Sequence, residues 1–161
     1  MAGYQFRHAA VVAQQPDALQ GFAQHRLGKR RTEPQTGDII ALQPETGKEV
    51  WRFYTVPGPG EPGYETWLGK DGKPNDSYLH GGAPIWVTGS YDPETNLTMW
   101  GTGNAGPDYN GDNRMGDNLY SSSVIALDAD TGKLKWYYQF SPHDEFDWDA
   151  TQVPVLGDVE I

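Results

Sequence analysis

From residue 37 onward, apolar residues fall in short runs of five or six, separated by turn residues. Asp38-Ile39-Ile40-Ala41-Leu42 is one such run, Pro44-Glu45-Thr46-Gly47 is a turn, and Glu49-Val50-Trp51-Arg52-Phe53-Tyr54 follows with bulky positions alternating. Runs of this length bounded by Gly, Pro and Asp predict β-strands joined by tight turns. The same unit returns as Ser123-Val124-Ile125-Ala126-Leu127, Asp128-Ala129-Asp130-Thr131-Gly132 and Lys133-Leu134-Lys135-Trp136-Tyr137-Tyr138. Aligned, both copies read A-L-Q/D-x-E/D-T-G-K-x-x-W, from Ala41 to Trp51 and from Ala126 to Trp136, 85 positions apart. A degenerate copy, Ser90 to Trp100, lies between them and carries Asn96 at the turn glycine. Asparagine also tolerates a positive φ there.

Each copy is a hairpin with a tryptophan at a fixed distance after the turn. A lone sheet of this kind cannot bury both faces, whereas stacked sheets bury one another. The expected fold is therefore all-β, a β-propeller, with about three blades present. Trp51, Trp100 and Trp136 are expected to pack between blades. Three blades do not close a ring, so the chain reads as a fragment or as one member of an assembly.

Composition narrows the function classes. The chain has 161 residues, no cysteine, 12 basic residues against 22 acidic ones, and a net charge of −10. Disulfides, thiolate metal sites and cysteine nucleophiles are excluded. The negative balance argues against nucleic-acid and anionic-membrane partners. No apolar run reaches the 18 residues or so of a membrane span. Twenty glycines, 12 prolines and six tryptophans fit a turn-rich folded chain. The charge is uneven, because residues 1–36 hold Arg7, Arg26, Lys29, Arg30 and Arg31 against only Asp17 and Glu33. Segment 1–36 shows no period and no signal-peptide core, and it is expected to be an unmatched, disordered N-terminal tail. Residues 37–161 are expected to form the partial propeller.

Four ordered motifs carry a resemblance. They are Gly81-Gly82-Ala83-Pro84-Ile85-Trp86, then Trp100-Gly101-Thr102-Gly103-Asn104, then Gly116-Asp117-Asn118-Leu119-Tyr120, and last Pro142-His143-Asp144-Glu145-Phe146-Asp147-Trp148-Asp149. Together with the hairpin unit, they resemble the quinoprotein alcohol dehydrogenases of the methanol and ethanol type. That family uses pyrroloquinoline quinone (PQQ) and folds as an eight-bladed propeller. The likeness runs from about residue 37 to about residue 157.

The resemblance implies roles residue by residue. Trp86, out of phase with the hairpin tryptophans, matches the one that stacks on the PQQ ring, where a flat tricycle needs an aromatic platform. A further core tryptophan is the competing reading. Asn104 matches a metal ligand, and its amide oxygen is a hard neutral donor. A turn asparagine is the alternative. Asp147 matches the general base that takes the alcohol proton while hydride moves to the quinone, with the metal polarising the quinone carbonyl. A solvated acidic loop is the alternative. Asp149, two places after the base, resembles the lanthanide-using branch, because an added carboxylate suits a trivalent ion better than Ca2+. Asn104, Asp147 and Asp149 are thus the expected metal ligands, with His143 and Asp144 supporting the loop.

Other implied features have no match in this sequence. The family's metal-binding glutamate, its adjacent-cysteine ring and several PQQ ligands precede the first hairpin, where this chain has residues 1–36. An arginine that contacts the quinone lies beyond residue 161. The chain is therefore expected to be a propeller slice from a truncated or frame-disrupted gene. The resemblance implies a small primary alcohol as substrate, a cytochrome c as electron acceptor and a periplasmic location. The competing function class is a non-catalytic propeller fragment acting as scaffold or binding module.

Overall fold

The computed structural model describes residues 10–14 and 37–158. Seven antiparallel strands form two sheets, and no α-helix occurs among the described residues. In the first sheet β1 (Ala10–Gln14), β2 (Asp38–Leu42) and β3 (Glu49–Tyr54) lie side by side in that order. The second is a four-stranded meander of β4 (Ser90–Asp92), β5 (Leu97–Gly101), β6 (Ser123–Asp128) and β7 (Leu134–Gln139). The inner strands β5 and β6 are almost continuously apolar or small and buried on both faces. In β3 only Trp51 is buried, and its neighbour Val50 is exposed.

Three hairpin copies yield two blades, not about three, among the described residues. The degenerate copy forms β4–β5 and the third copy forms β6–β7, and β5 pairs with β6 within one sheet. The repeat is otherwise close. A register shift falls between Ala41 and Leu42 in one copy and between Ala126 and Leu127 in the other. The turn glycines Gly47 and Gly132 adopt φ 66° and 68°, and Asn96 adopts φ 56°.

The segment before residue 37 is not wholly foreign to the fold. β1 lies inside it and pairs with β2 from Ala10↔Leu42 to Gln14↔Asp38. Its apolar run is short and continuous, without the period-2 alternation that marks a half-buried strand, and pairing with β2 supplies what the pattern does not. The rest of the expected disordered tail falls outside the described residues.

One core joins the two sheets. Ile39, Ala41 and Trp51 of the first pack with Trp100, Ile125 and Leu127 of the second and with Leu119 and Tyr120 of the preceding loop. Trp51 is the joint. Its indole N–H donates to the Ala129 carbonyl at 3.0 Å, and its ring lies over Gly132, where a Cβ would come within 2.5 Å. The first copy's tryptophan thus sits on the third copy's turn. Trp100 is also buried but donates to Thr98 Oγ1 of its own strand. Trp136 does not pack between blades among the described residues; it is 42 % exposed.

If the indole–glycine contact is the joint, Gly132→Ala should cost more than its turn strain. We predict that it destabilises the protein by roughly 2–4 kcal/mol, from overpacking plus a positive φ. In a Trp51→Ala background, itself costing about 3–5 kcal/mol, Gly132→Ala should cost only the ~1–2 kcal/mol of strain. Urea unfolding of the four proteins measures the coupling, and additive effects would show that the contact does not matter.

Candidate functional site

The meander places its loops unequally. Turns 93–96 and 129–132 close one end. At the other end lie the start of β4, the end of β5, the start of β6 and the end of β7. The long segments before β4, between β5 and β6, and after β7 therefore emerge together. They carry all the residues singled out by the sequence: Trp86, Asn104, and Asp147 with Asp149.

Backbone hydrogen bonds lace these segments together. Ala83 N donates to Asn104 O at 2.7 Å and Gly103 N to Pro84 O at 2.8 Å. Ala150 N donates to Thr102 O at 3.1 Å and Ser122 N to Gly103 O at 2.7 Å. Gly103 has no room for a side chain, since a Cβ would lie 2.8 Å from Asp149 Oδ1 and 2.9 Å from the Pro84 ring. The glycine lets the carboxylate reach the backbone.

Asn104 and Asp149 meet directly. The Asn104 backbone N–H donates to Asp149 Oδ1 at 2.9 Å. The Asn104 side-chain NH2 donates to Ala105 O at 3.2 Å and to Asp108 Oδ1. Committing the NH2 to these acceptors leaves the amide oxygen as the donor atom for a cation. Burial pushes the Asp149 carboxyl above the ordinary range, the Asn104 N–H pulls it down, and Asp147, Asp144 and Asp108 push it up further. Negative charge is thus concentrated here without a compensating cation among these causes.

Asp147 stands differently. It is exposed and adopts φ 64°. Its Oδ2 accepts from the Tyr109 hydroxyl at 3.3 Å, and the Asp147 charge holds the Tyr109 phenol above its usual pKa. Among the described residues no three His, Cys, Asp or Glu side chains form a metal-binding group. The structure thus joins Asn104 to Asp149 and ties Asp147 to Tyr109. Trp86 is 47 % exposed at the end of the Ala83–Ile85 segment, which sets it apart from the core tryptophans.

The supporting residues are more legible in the structure than in the sequence. The buried Asp144 carboxylate accepts from Phe146 N at 3.0 Å and Trp148 N at 2.8 Å, holding the loop that bears Asp147. His143 Nδ1 lies 3.0 Å from Gly116 O. Arg114, which the sequence reading passed over, is wholly buried. It donates to Asn118 Oδ1 at 2.9 Å, to Pro107 O at 3.1 Å and to Asp144 O at 2.6 Å. Burial lowers its pKa, while Glu145, Asp144 and Asp108 oppose that. One guanidinium therefore fastens the acidic loop to the loop that follows Asn104. Arginine is rarely fully buried, and nothing in its neighbours signals burial. Asp108 and Tyr109 were also missed, because their partners are 4 and 38 positions away. A cavity of about 470 Å3 lies on another side of Arg114, lined also by Asn75, Ser77 and His80, and none of the sequence-predicted site residues lines it.

Comparison with known proteins follows the same residues. The β-propeller domain described as glucose/ethanol/alcohol dehydrogenase, of the PQQ family, matches residues 4–161. The match starts inside the segment that the sequence pattern set apart. Quinohemoprotein alcohol dehydrogenase ADH IIB of Pseudomonas putida is 43 % identical over 139 residues, covering 78 % of this chain and 19 % of that protein. The lanthanide-dependent methanol dehydrogenase of Methylorubrum extorquens is 38 % identical over 133 residues, 74 % of this chain and 22 % of that protein. The crystal structure of quinohemoprotein alcohol dehydrogenase from Comamonas testosteroni superposes with a TM-score of 0.74 at 32 % identity, over 97 % of this chain and 22 % of that one. The chain thus spans about a fifth of the length of these relatives.

The role of Arg114 can be tested without any ligand. Arg114→Met keeps the volume but strands the Pro107 and Asp144 carbonyls, and should cost roughly 2–4 kcal/mol. We predict at least tenfold faster chymotryptic cleavage at Phe146 and Trp148, since local opening then exposes the loop. Unchanged cleavage would show that the guanidinium does not hold it.

Proposed function

The chain belongs to the PQQ-dependent alcohol dehydrogenase family, whose β-propeller domain matches residues 4–161, and from that premise we propose that it carries part of a site for oxidising a small primary alcohol to the aldehyde. The observation that carries the reading is the contact of Asp149 with Asn104, where the charges of Asp147, Asp144 and Asp108 raise the Asp149 carboxyl further. Burial and mutual repulsion hold the Asp149 carboxyl up, and a bound cation would relieve both. Asn104 and Asp149 hold that ion, with Asp147 as the third ligand. A lanthanide is preferred to Ca2+ because two carboxylates and an amide oxygen suit a trivalent charge.

Asp147 accepts the hydroxyl proton of the alcohol. Its exposure leaves the carboxylate open to substrate, and its left-handed backbone is the kind of local strain that function can retain. Tyr109 orients it through the hydroxyl hydrogen bond. Asp144 and Arg114 position the loop. Trp86 offers its exposed ring as the platform for the quinone. PQQ, when bound, would supply the two-electron acceptor, with a cytochrome c as its electron acceptor and the periplasm as its location.

A second reading, a non-catalytic propeller fragment serving as scaffold or binding module, is favoured by two observations. Asp147 is turned to Tyr109, and no three acidic or histidine side chains converge among the described residues.

Titration of the purified protein with PQQ plus La3+ or Ca2+, followed by tryptophan fluorescence, separates the two. The enzyme reading predicts metal-dependent quenching, stronger with La3+, that falls at least tenfold in apparent affinity in Asn104→Ala and in Asp149→Ala. Trp86→Phe should weaken the PQQ response and leave La3+ binding unchanged by calorimetry. No quenching with either ion would leave the scaffold reading.

A further inference from the structure

The contacts that fasten the acidic loop do not use all of Arg114. Its guanidinium is wholly buried, and the acceptors of its hydrogen bonds are neutral oxygens: Asn118 Oδ1 and the main-chain carbonyls of Pro107 and Asp144. Its Nε has no hydrogen-bond partner among the described residues. Glu145, Asp144 and Asp108 act on its charge from nearby. None of the ion pairs among the described residues includes Arg114. A buried cation without an ion-pair partner is costly to keep.

Ser77 has the same shortfall, and both residues line the cavity of about 470 Å3. The Ser77 main chain is engaged, since its N–H donates to Asn75 Oδ1 at 3.0 Å and its carbonyl accepts from His80 N at 2.9 Å. Its hydroxyl is buried and has no partner among the described residues. The segment that bears Ser77 is tied to the loop that bears Arg114, because the Asn75 side-chain NH2 donates to the Asn113 carbonyl at 3.0 Å. Ser77 Oγ and Arg114 Nε are each buried by this chain's own residues. Buried polar atoms are nearly always paired, so two unpaired donors at one cavity point to an acceptor from outside the chain.

The donors define that acceptor. A water could take the Ser77 hydroxyl, but it would leave the guanidinium charge unbalanced. A carboxylate brings a negative charge and two oxygens, one for the Arg114 Nε–H and one for the Ser77 O–H. The cavity is of small-molecule size. Pro107 is its one apolar lining residue among those described. Asp76 also lines it and the chain carries a net charge of −10, so a second negative charge on the ligand would be repelled.

We propose that this cavity, between the 75–80 segment and the 107–114 loop, binds a small monocarboxylate held by Arg114 and Ser77. The site needs neither quinone nor metal, and Trp86, Asn104, Asp147 and Asp149 do not line it.

Thermal unfolding of the whole 161-residue chain in sodium acetate, sodium chloride or acetamide, at constant ionic strength, tests this. Acetate should raise the midpoint along a saturable curve, as a ligand of the native state does. Chloride and acetamide should not. Ser77→Ala is the decisive variant, because its hydroxyl has no partner to lose. Without acetate it should be at least as stable as the wild type. Its apparent affinity for acetate should be roughly fivefold weaker, the worth of one hydrogen bond to a carboxylate. Arg114→Lys keeps a charge but loses the Nε donor, and should lose the acetate response. Line broadening of 13C-acetate by the wild type and by Ser77→Ala reads binding without unfolding, so the comparison holds even if Arg114→Lys does not fold. A response to acetate that is linear and matched by chloride would overturn the proposal. So would an equal response to acetamide, which would mean a site for neutral acceptors. A Ser77→Ala protein that binds acetate like the wild type would place the ion elsewhere and overturn it too.

Discussion

The seating of the Trp51 indole on a glycine turn of the neighbouring sheet is the contact on which the rest of the structure depends. It combines a directed hydrogen bond, to Ala129 at 3.0 Å, with a close stacking contact that only glycine permits. Two twisted sheets with apolar faces could slide over one another. A single long side chain with one donor, placed on one turn, removes that freedom. Ile39, Ala41, Ile125 and Leu127 then fill the space between the sheets. They supply the bulk of the hydrophobic gain, while the indole sets the registration.

That registration has a consequence at the far end of the sheets. The turn that receives Trp51 closes one end of its sheet, and the long loops emerge at the other. Their lengths are free to vary because the sheets are already registered. The candidate site is built there from three loops that share backbone hydrogen bonds at Ala83, Gly103, Asn104 and Ala150. Structural and chemical demands are thereby separated in space, a common arrangement where rigid strands carry variable loops.

Much of the fold was legible because the motif is periodic and its parts are local. A strand, a turn with glycine and a tryptophan at a fixed distance can be read along the chain, and the register shift at Ala41/Leu42 recurs at Ala126/Leu127. Two readings failed for a shared reason. The degenerate copy was counted as its own blade, and the segment before residue 37 was set aside, because membership of a sheet depends on which strand lies beside which. β5 pairs with β6 across 21 intervening residues, and β1 pairs with β2 across 23. Hydrophobic pattern carries no record of such pairings.

By itself, then, the sequence determined the strand-and-turn unit, the all-β class and the residues with chemistry to offer: Trp86, Asn104, Asp147 and Asp149. The unit and the class follow from residue type and short spacing, and the four residues from the resemblance of the ordered motifs that carry them. Tertiary structure alone decided which of them meet. Asp149 reaches Asn104 across 45 positions because Gly103 leaves room, and Asp147 pairs with Tyr109 across 38. It alone decided that Arg114 is buried beneath the acidic loop and that Trp136 is exposed while Trp51, in the same motif, is not. Similar local sequences take different roles because burial depends on what is packed against them, which pairing and chain crossing set.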